Sequence, residues 1–154
     1  MKAIKQTELD YNLWTLITQV ADIMLMARES EVKPYGITAV QTKVLGIITY
    51  HKKPVRVSEL SKRLQRKPNG VTALIDRMKK DDLVYESDET ESKKKRIIGI
   101  TEKGKKIYEE TRDIIIISKI LSHLTKNQKE QLIKTLLMVR GDAIKELHAH
   151  TFYL

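Results

Sequence analysis

The apolar positions near the start of the chain recur at steps of three and four residues, which is the pattern of an amphipathic helix. The stripe covers about residues 9–28 and consists of Leu9, Leu13, Leu16, Ile17, Val20, Ile23, Met24 and Ala27. Pro34 and Gly36 interrupt it. Thr38 and Gln41 then have the spacing of a capping box, so we predict that a second helix begins there. Its buried face is predicted to hold Val40, Val44, Leu45, Ile47 and Ile48.

A short strand and two short helices are predicted to follow. Residues 55–57 are β-prone but too few for more than a single bridging strand. Ser58 is a suitable N-cap for a third helix, whose apolar face offers Leu60 and Leu64. Pro68 fits the first turn of a fourth helix, where its missing N–H costs nothing. The inward residues of that helix are predicted to be Val71, Leu74, Ile75 and Met78. Two short helices separated by a few residues predict a helix-turn-helix.

The pattern changes at residue 83. Residues 83–85 and 96–100 favour strands, and the residues between them are almost all polar, which predicts a hairpin with a long charged tip. Thr101 is expected to cap a fifth helix. Its core candidates are Ile107, Ile114 and Ile117. Residues 114–117 alone fit a strand equally well, but length and the flanking helical pattern favour a helix.

Thr125 and Gln128 repeat the capping-box spacing ahead of a long last helix. Its apolar face is predicted to hold Leu132, Ile133, Leu136, Leu137, Ala143, Ile144 and Leu147. There is no internal repeat and no linker. The pattern therefore predicts one domain over residues 1–154, mainly α with a small β-hairpin.

Charge sharpens this picture because it is unevenly distributed. The chain carries 29 Lys and Arg against 20 Asp and Glu, a net charge of +9. Residues 52–80 hold ten basic and two acidic side chains, residues 81–91 hold six acids and no base, and residues 93–96 add four bases. Positive charge is thus concentrated on the two-helix unit and the hairpin tip, as expected of elements that meet phosphates. On charge alone, a basic surface that is merely exposed to solvent is an equal alternative.

Composition also excludes several classes of protein. The chain has no Cys, which rules out thiol catalysis, cysteine-ligated zinc and a cysteine redox switch. The first residues lack the apolar stretch of a signal peptide, and the longest aliphatic run, 114–117, is far short of the ~20 residues that span a bilayer. We therefore expect a cytoplasmic protein with no membrane partner.

Nothing in the sequence favours an enzyme. There is no Gly-rich phosphate loop and no nucleophile motif, and neighbouring acids such as Glu109 and Glu110 do not converge on one point. His148 and His150 fit a frayed polar end better than a metal site. We expect no catalytic activity, no metal and no cofactor.

The order of the elements and several segments resemble the MarR family of winged helix-turn-helix regulators over essentially the whole chain. Residues 57–64 resemble the family's first motif helix, and residues 71–78 resemble its recognition helix. Leu83-Val84, the charged tip and the Thr-x-x-Gly sequence of residues 101–104 resemble its wing and the entry to the next helix. The resemblance implies a transcriptional regulator, expected to be a repressor, that binds double-stranded DNA sequence-specifically.

The resemblance also implies how the molecule assembles and is controlled. Residues 38–101 are expected to form the winged helix-turn-helix. The helices of residues 1–33 and 102–154 are expected to interlock as an isologous homodimer that reads a near-palindromic operator. The surplus apolar residues Trp14 and Leu147 fit such an interface. A small aromatic or anionic effector is implied between the dimer helices and the winged domain.

The DNA-contacting residues follow from the motif, because the second helix of a helix-turn-helix enters the major groove. Outward residues expected to reach bases are Asn69, Thr72, Ala73 and Arg77. Helix capping is an equal alternative for Asn69, and a phosphate contact is an alternative for Arg77. Residues expected to contact phosphates are Ser58, Lys62, Arg63, Arg66 and Lys67.

The wing is where this sequence departs from the family it resembles. Asp82 stands where the family usually has Gly, and Glu86 stands where it usually has Arg. The family's Asp-Arg-Arg tip is replaced by Ser92-Lys93-Lys94. Because ammonium is more strongly hydrated than guanidinium, we expect Lys93, Lys94 and Lys95 to add charge rather than make a fixed minor-groove contact. The remaining alternative function is an architectural DNA-binding protein without sequence preference.

Overall fold

The computed structural model describes residues 2–87 and 96–151, and the side chains of residues 6–87 and 96–148. It is mainly helical. The elements are α1 (Lys2–Val32), α2 (Ala39–His51), β1 (Val55–Arg56), α3 (Val57–Leu64), α4 (Pro68–Lys80), β2 (Val84–Glu86), β3 (Ile97–Ile100), α5 (Glu102–Thr111), α6 (Ile115–Ile120) and α7 (Lys126–Thr151). Short 3₁₀ turns occupy Lys33–Tyr35 and Leu121–His123. The predicted fold class, α with a small hairpin, is confirmed.

The strands form a three-stranded antiparallel sheet with β3 in the middle. Val55 of β1 lies opposite Ile98, and Val84 of β2 lies opposite Ile100. The predicted bridging strand and hairpin are thus both present, and the bridging strand joins the hairpin at its outer edge.

The chain divides into two compact units, Met1–Ile117 and Ser118–Leu154. The first contains one buried apolar core built from α2, α3, α4 and the sheet. Its fully buried large side chains are Leu45, Leu60, Ile75, Met78, Leu83, Ile98, Val32, Val44, Val55 and Val71. The predicted inward face of the fourth helix is confirmed. On the second helix Val44, Leu45 and Ile48 are buried, whereas Val40 and Ile47 are partly buried and pack against the core.

Local capping signals mark the starts of three helices, α2, α5 and α7. Thr38 Oγ1 accepts a hydrogen bond from the Gln41 N–H at 3.3 Å, and the Thr38 N–H donates to Gln41 Oε1 at 2.8 Å, which completes the predicted capping box. The same reciprocal pair joins Thr125 and Gln128. Thr101 Oγ1 accepts from the Gly104 N–H at 2.9 Å and begins α5.

The prediction that Ser58 caps the third helix is wrong. The helix begins one residue earlier, at Val57, and its N-cap is Arg56, whose side chain makes no capping hydrogen bond. The Val57 N–H donates instead to the Arg96 carbonyl at 3.1 Å. The pairing of β1 with the hairpin therefore runs directly into the first turn of α3, and Ser58 lies exposed on that turn.

The fifth helix is shorter than predicted and the isoleucines beyond it are not core. Helix α5 ends at Thr111, and a separate helix begins at Ile115. Residues 115–117 are thus helical, as favoured, but Ile114 is 48% exposed and Ile117 is only partly buried. Arg28 causes the break, since its guanidinium donates to the carbonyls of Thr111 and Asp113 and takes up the acceptors that a continuous helix needs.

Two long helices carry large apolar side chains that the described chain leaves exposed. On α1 they include Leu9, Leu13, Trp14, Leu16, Val20 and Ile23, each at least 45% exposed. On α7 they include Leu132, Ile133, Leu136, Leu137 and Leu147, each at least 44% exposed. The predicted apolar stripes therefore exist, and on α1 these residues stay outside the core of the first unit.

Candidate nucleic-acid interface

Helices α3 and α4 are joined by a turn of only three residues. Gln65 adopts the left-handed conformation at φ 51°, and its N–H donates to the Lys62 carbonyl at 3.2 Å. The next N–H, that of Arg66, reaches back to the Ser61 carbonyl at 3.1 Å. This pair of hydrogen bonds closes α3 with a Schellman motif and lets α4 begin at Pro68. The predicted helix-turn-helix is therefore formed.

Helix α4 has one buried and one open face. Its inward residues Val71, Leu74, Ile75 and Met78 are at most 4% exposed. The residues predicted to read bases lie on the other face, where Asn69, Ala73 and Arg77 are exposed and Thr72 is half-buried. The capping alternative for Asn69 is wrong, because the N-cap is Lys67 and no side chain caps this helix.

The residues predicted to contact phosphates precede this helix in the helix-turn-helix. Ser58, Lys62, Arg63, Arg66 and Lys67 are all exposed and occupy α3 and the turn that follows it. Arg63 is not free, because its Nε donates to Glu59 Oε1 at 2.7 Å. That hydrogen bond lowers the pKa of the Glu59 carboxyl. The pair follows the i, i+4 spacing of helix surfaces, a signal the sequence contained.

A second ion network joins the recognition helix to the root of the wing. Arg96, just before β3, donates through Nη2 to Asp76 Oδ1 at 2.7 Å and through Nε to Glu86 Oε1 at 2.9 Å. Lys79 Nζ donates to Glu86 Oε2 at 2.6 Å. The Arg96 and Lys79 hydrogen bonds lower the pKa of Glu86, and those from Glu86 and Asp76 raise the pKa of Arg96.

Sequence reasoning missed this network. The charge pattern placed Lys79 among the bases of residues 52–80 and Glu86 among the acids of residues 81–91, with no indication that the two are paired. The network joins residues seven to twenty positions apart, and no local spacing signals such pairs. Only the pairing of β2 with β3, which sets Glu86 opposite Ile98, brings them together.

The three wing lysines predicted to meet DNA, Lys93, Lys94 and Lys95, lie outside the described residues, as does Ser92. The described wing consists of β2 and β3, which meet at the Ser87 N–H, a donor to the Ile97 carbonyl at 2.8 Å. The predicted role of the wing tip stays a prediction.

The first unit also contains a cavity of about 850 Å³ between α1, α2, α3 and α5. Two tyrosines line it, and Tyr108 is 8% exposed. Burial and a hydrogen bond with Tyr50 raise the pKa of Tyr108. The basic side chains of its lining are Arg28, Lys43, Arg63, Arg66 and Arg112. Aromatic walls with several cations suit a small aromatic anion.

Two further findings concern other kinds of site. Among the helices of the described chain, none is long and apolar enough to cross a membrane. Within the same residues, no three His, Asp or Glu side chains lie close enough together to hold a metal ion.

Comparison with known proteins gives matches along the chain. Residues 37–95 match the MarR family model. The HTH-type transcriptional repressor MdtR of Bacillus subtilis (strain 168) is 27% identical over 135 residues, which are 85% of this chain and 84% of that protein.

Solved structures share the fold. The ligand-free organohalide-sensing regulator RdhR-CbdbA1625 superposes with a TM-score of 0.83 at 24% identity, covering 93% of this chain and 86% of that one. A mutant MarR from E. coli complexed with operator DNA gives 0.75 at 24% identity, covering 83% and 93%. The family match over the winged segment, the relative along most of the chain and the shared fold agree: this chain is similar to the MarR family of winged helix-turn-helix transcriptional regulators, and residues 37–95 match that family's model.

Proposed function

We propose that this chain is a homodimeric repressor that binds a near-palindromic operator sequence-specifically through residues 38–101. One observation carries the proposal. Helix α4 is the second helix of the helix-turn-helix; it buries one face completely and exposes polar and small side chains on the other. Repression is supported by the similarity to a protein named as a repressor. Because its partner is DNA, we place its action in the cytoplasm.

Each exposed residue of α4 has a role that its chemistry fits. The Asn69 amide can pair with adenine N6 and N7, and Thr72 can exchange hydrogen bonds with a base edge. Ala73 offers a small apolar surface to a thymine methyl. Arg77 lies two turns beyond Asn69, and its Nε donates to the Ala73 carbonyl at 3.3 Å. Its other guanidinium nitrogens can therefore reach a guanine or a phosphate.

Phosphate contacts set the register of that helix. Ser58, Lys62, Arg63, Arg66 and Lys67 supply four cations and a hydroxyl beside it. Such contacts fix orientation without reading sequence. Lys93, Lys94 and Lys95 are proposed to add charge in the same way.

The dimer rests on the exposed apolar faces of α1 and α7. A stable monomer rarely exposes large contiguous apolar patches. A second copy of the chain can cover both faces symmetrically, with residues 1–33 and 102–154 as the dimerisation helices. The neighbour complexed with operator DNA shows that this fold is used on DNA. In a two-fold dimer the recognition helices read half-sites about 34–36 Å apart.

We further propose that a small aromatic anion controls DNA binding from the cavity lined by Tyr50 and Tyr108. The neighbour RdhR-CbdbA1625 has also been solved in a 2,4-dichlorophenol-bound form, which supports an aromatic ligand in this fold. Arg63 and Arg66 belong both to the cavity lining and to the proposed phosphate contacts. A ligand there changes DNA affinity only by its differential affinity for the free and DNA-bound states.

The main proposal is tested by band-shift titration of a selected duplex against random duplex at fixed salt. A sequence-specific regulator binds its site about 10³–10⁷ times more tightly than random DNA. Equal affinity for both duplexes would assign the chain to the architectural class instead.

The effector proposal is tested by thermal shift with phenolic acids. Stabilisation of the wild-type chain that falls in Arg112→Ala, which removes a lining cation, supports the cavity. Lys105→Ala removes a cation of α5, the helix that ends just before Arg112. Lys105 does not line this cavity, so the change should leave the shift unchanged. No stabilisation by any compound contradicts the effector class.

A further inference from the structure

Two acidic side chains lie on the side of the molecule that faces DNA in the proposed function. Asp76 is on the open face of α4, and Glu86 ends β2 at the root of the wing. Unpaired carboxylates there would repel phosphates. Both are instead bound to Arg96, and Glu86 also binds Lys79, so two acids and two bases neutralise one another.

The geometry of Arg96 makes this more than charge cancellation. Its Nε and Nη2 both lie on Glu86, at 2.9 and 3.1 Å, while Nη2 also reaches Asp76 at 2.7 Å. One guanidinium therefore bridges the two strands of the wing and the recognition helix. Arg96 is 24% and Glu86 is 33% exposed as side chains, so these pairs are better shielded than ordinary surface ion pairs.

Lys79 adds a third link from the same carboxylate. It is the second-to-last residue of α4 and donates to the second oxygen of Glu86 at 2.6 Å. Glu86 thus holds one cation from the helix and one from the wing. The hydrogen bonds from Arg96 and Lys79 favour the charged carboxylate and lower the pKa of Glu86.

We propose that Glu86 is a positioning residue for DNA binding: its carboxylate fixes the wing strands against the recognition helix through Arg96 and Lys79. The proposal rests on the proposed DNA-binding function and concerns a position where the family usually has a base. The segment that carries Lys93, Lys94 and Lys95 departs from Glu86 and returns at Arg96. Fixing those two points sets where the described wing strands lie relative to the helix that reads the groove.

The proposal predicts a sign opposite to that of simple electrostatics. Removing a carboxylate near DNA should tighten binding if the acid only repels phosphate. If Glu86 positions the wing, Glu86→Gln should weaken binding by about three- to tenfold at 100 mM salt. The matched control is Glu59→Gln, which also removes an ion-paired acid beside the DNA face but leaves the wing untouched. It should tighten binding slightly, because it releases Arg63.

The experiment is a double-mutant cycle in band-shift titrations on the selected duplex. One arm changes Glu86 to Gln, and the other changes Lys93, Lys94 and Lys95 together to Ala. The lysine change should cost clearly less in the Glu86→Gln background than in the wild type, because wing charge that is no longer positioned contributes less. Asp76→Asn, which keeps both Glu86 pairs and weakens only the Arg96–Asp76 link to the helix, should weaken binding in the same direction with little effect on folding.

Three results overturn the proposal: tighter binding by Glu86→Gln, a lysine effect that is the same in both backgrounds, or unchanged affinity in Asp76→Asn. Circular dichroism and unfolding midpoints of each variant separate these outcomes from loss of fold. Failure of the wild-type chain to bind any duplex overturns the proposed function itself, and the variant comparison falls with it.

Discussion

Gly104, in the first turn of α5, is a position where a single methyl group meets backbone. A Cβ built there lies 2.1 Å from the Leu83 carbonyl oxygen and 2.9 Å from Ile100 Cγ1. The Gly104 N–H also donates to the Thr101 cap. The Thr-x-x-Gly sequence therefore has a steric cause, since the helix starts directly on the end of the wing strands.

Gly104→Ala is expected to destabilise the protein by about 1–3 kcal/mol, because the helix must shift off the Leu83 carbonyl. Urea unfolding followed by circular dichroism measures the change. Gly70→Ala is the matched control: it lies in α4 with nothing within 4 Å of its Cβ. That change should stabilise by up to about 1 kcal/mol through helix propensity, and equal effects of the two would contradict the steric account.

Asp82 shows how the chain tolerates a departure from its family. It is the residue after the C-cap of α4 and adopts φ 57°. The Leu83 N–H donates to the Met78 carbonyl at 2.9 Å and the Asp82 N–H to the Lys79 carbonyl at 3.0 Å, which is a Schellman motif. Glycine is favoured at this place, and Asp is among the few other residues that accept it.

Asp82→Gly should therefore raise the free energy of unfolding by about 0.5–1 kcal/mol, because it relieves the left-handed backbone. The neighbouring Asp81 has φ −81° in the native state, so Asp81→Gly relieves no left-handed backbone. It should cost about 0.5–1 kcal/mol instead. Chemical denaturation of the two variants measures both changes in the free energy of unfolding. Loss of stability in both would show that Asp82 is not strained.

At the scale of elements, one ion pair holds three helices together. Arg28 of α1 binds Glu31 at 2.5 Å and donates to the carbonyls of Thr111 and Asp113 at the end of α5. Glu31 Oε1 accepts the Ile116 N–H at 3.0 Å in the first turn of α6. A cation thus meets the carbonyl end of one helix and an anion meets the N–H end of the next, as both helix dipoles favour.

This arrangement predicts a pH dependence of stability. Burial tends to raise the pKa of Glu31, but the Arg28 hydrogen bond and the amides of Ile115 and Ile116 outweigh it, and the pKa lies below its usual 4.5. The stabilisation is therefore complete above pH 4.5 and is lost as the pH falls through the lowered value. Glu31→Gln should cost roughly 1.5–3 kcal/mol at pH 7.

The test is urea unfolding at pH 7 and pH 3.5. The difference between Glu31→Gln and the wild type should shrink at the lower pH, because protonation removes the same charge. A difference that stays constant would show that Glu31 acts through shape alone.

Replacing an exposed side chain by alanine is expected to affect DNA binding differently on α3 and on α4. Thr72→Ala should cost about 1–3 kcal/mol on the best site and relax preference at one base position if Thr72 reads a base. Lys62→Ala should weaken all duplexes about equally and reduce the salt slope by about one. Titrations on a panel of single-base variants at several salt concentrations separate the two roles. A uniform loss for Thr72→Ala would assign it to the phosphate backbone.

At the scale of the whole molecule, the sequence predicts what is decided locally. The capping boxes at Thr38 and Thr125 and the two-faced pattern of α4 depend on residues within a turn or two, and all were found. The Ser58 cap was wrong because strand pairing to Arg96 begins the helix earlier. The hydrogen bonds of Arg28 near the break after Thr111 join residues far apart in sequence, and so do the ion pairs of Glu86. No local pattern signals such contacts.

The match of residues 37–95 to the MarR family model and the similarity to a transcriptional repressor support the prediction of a DNA-binding regulator. The basic surface on α3 and α4 should make binding steeply dependent on salt. If a dimer meets ~6–10 phosphates, affinity should fall by roughly three to five decades between 50 and 200 mM salt. Fluorescence-anisotropy titrations over that range measure the slope. A slope near zero would contradict a phosphate-bound complex.

The central claim is that two copies of this chain present two α4 helices to one inverted repeat. Selection of bound sites from a random duplex pool, with sedimentation of the same protein at micromolar concentration, tests it most directly. We predict a dimer and an enriched inverted repeat with half-site centres about 10–10.5 base pairs apart. A stable monomer that enriches no inverted repeat would contradict the account.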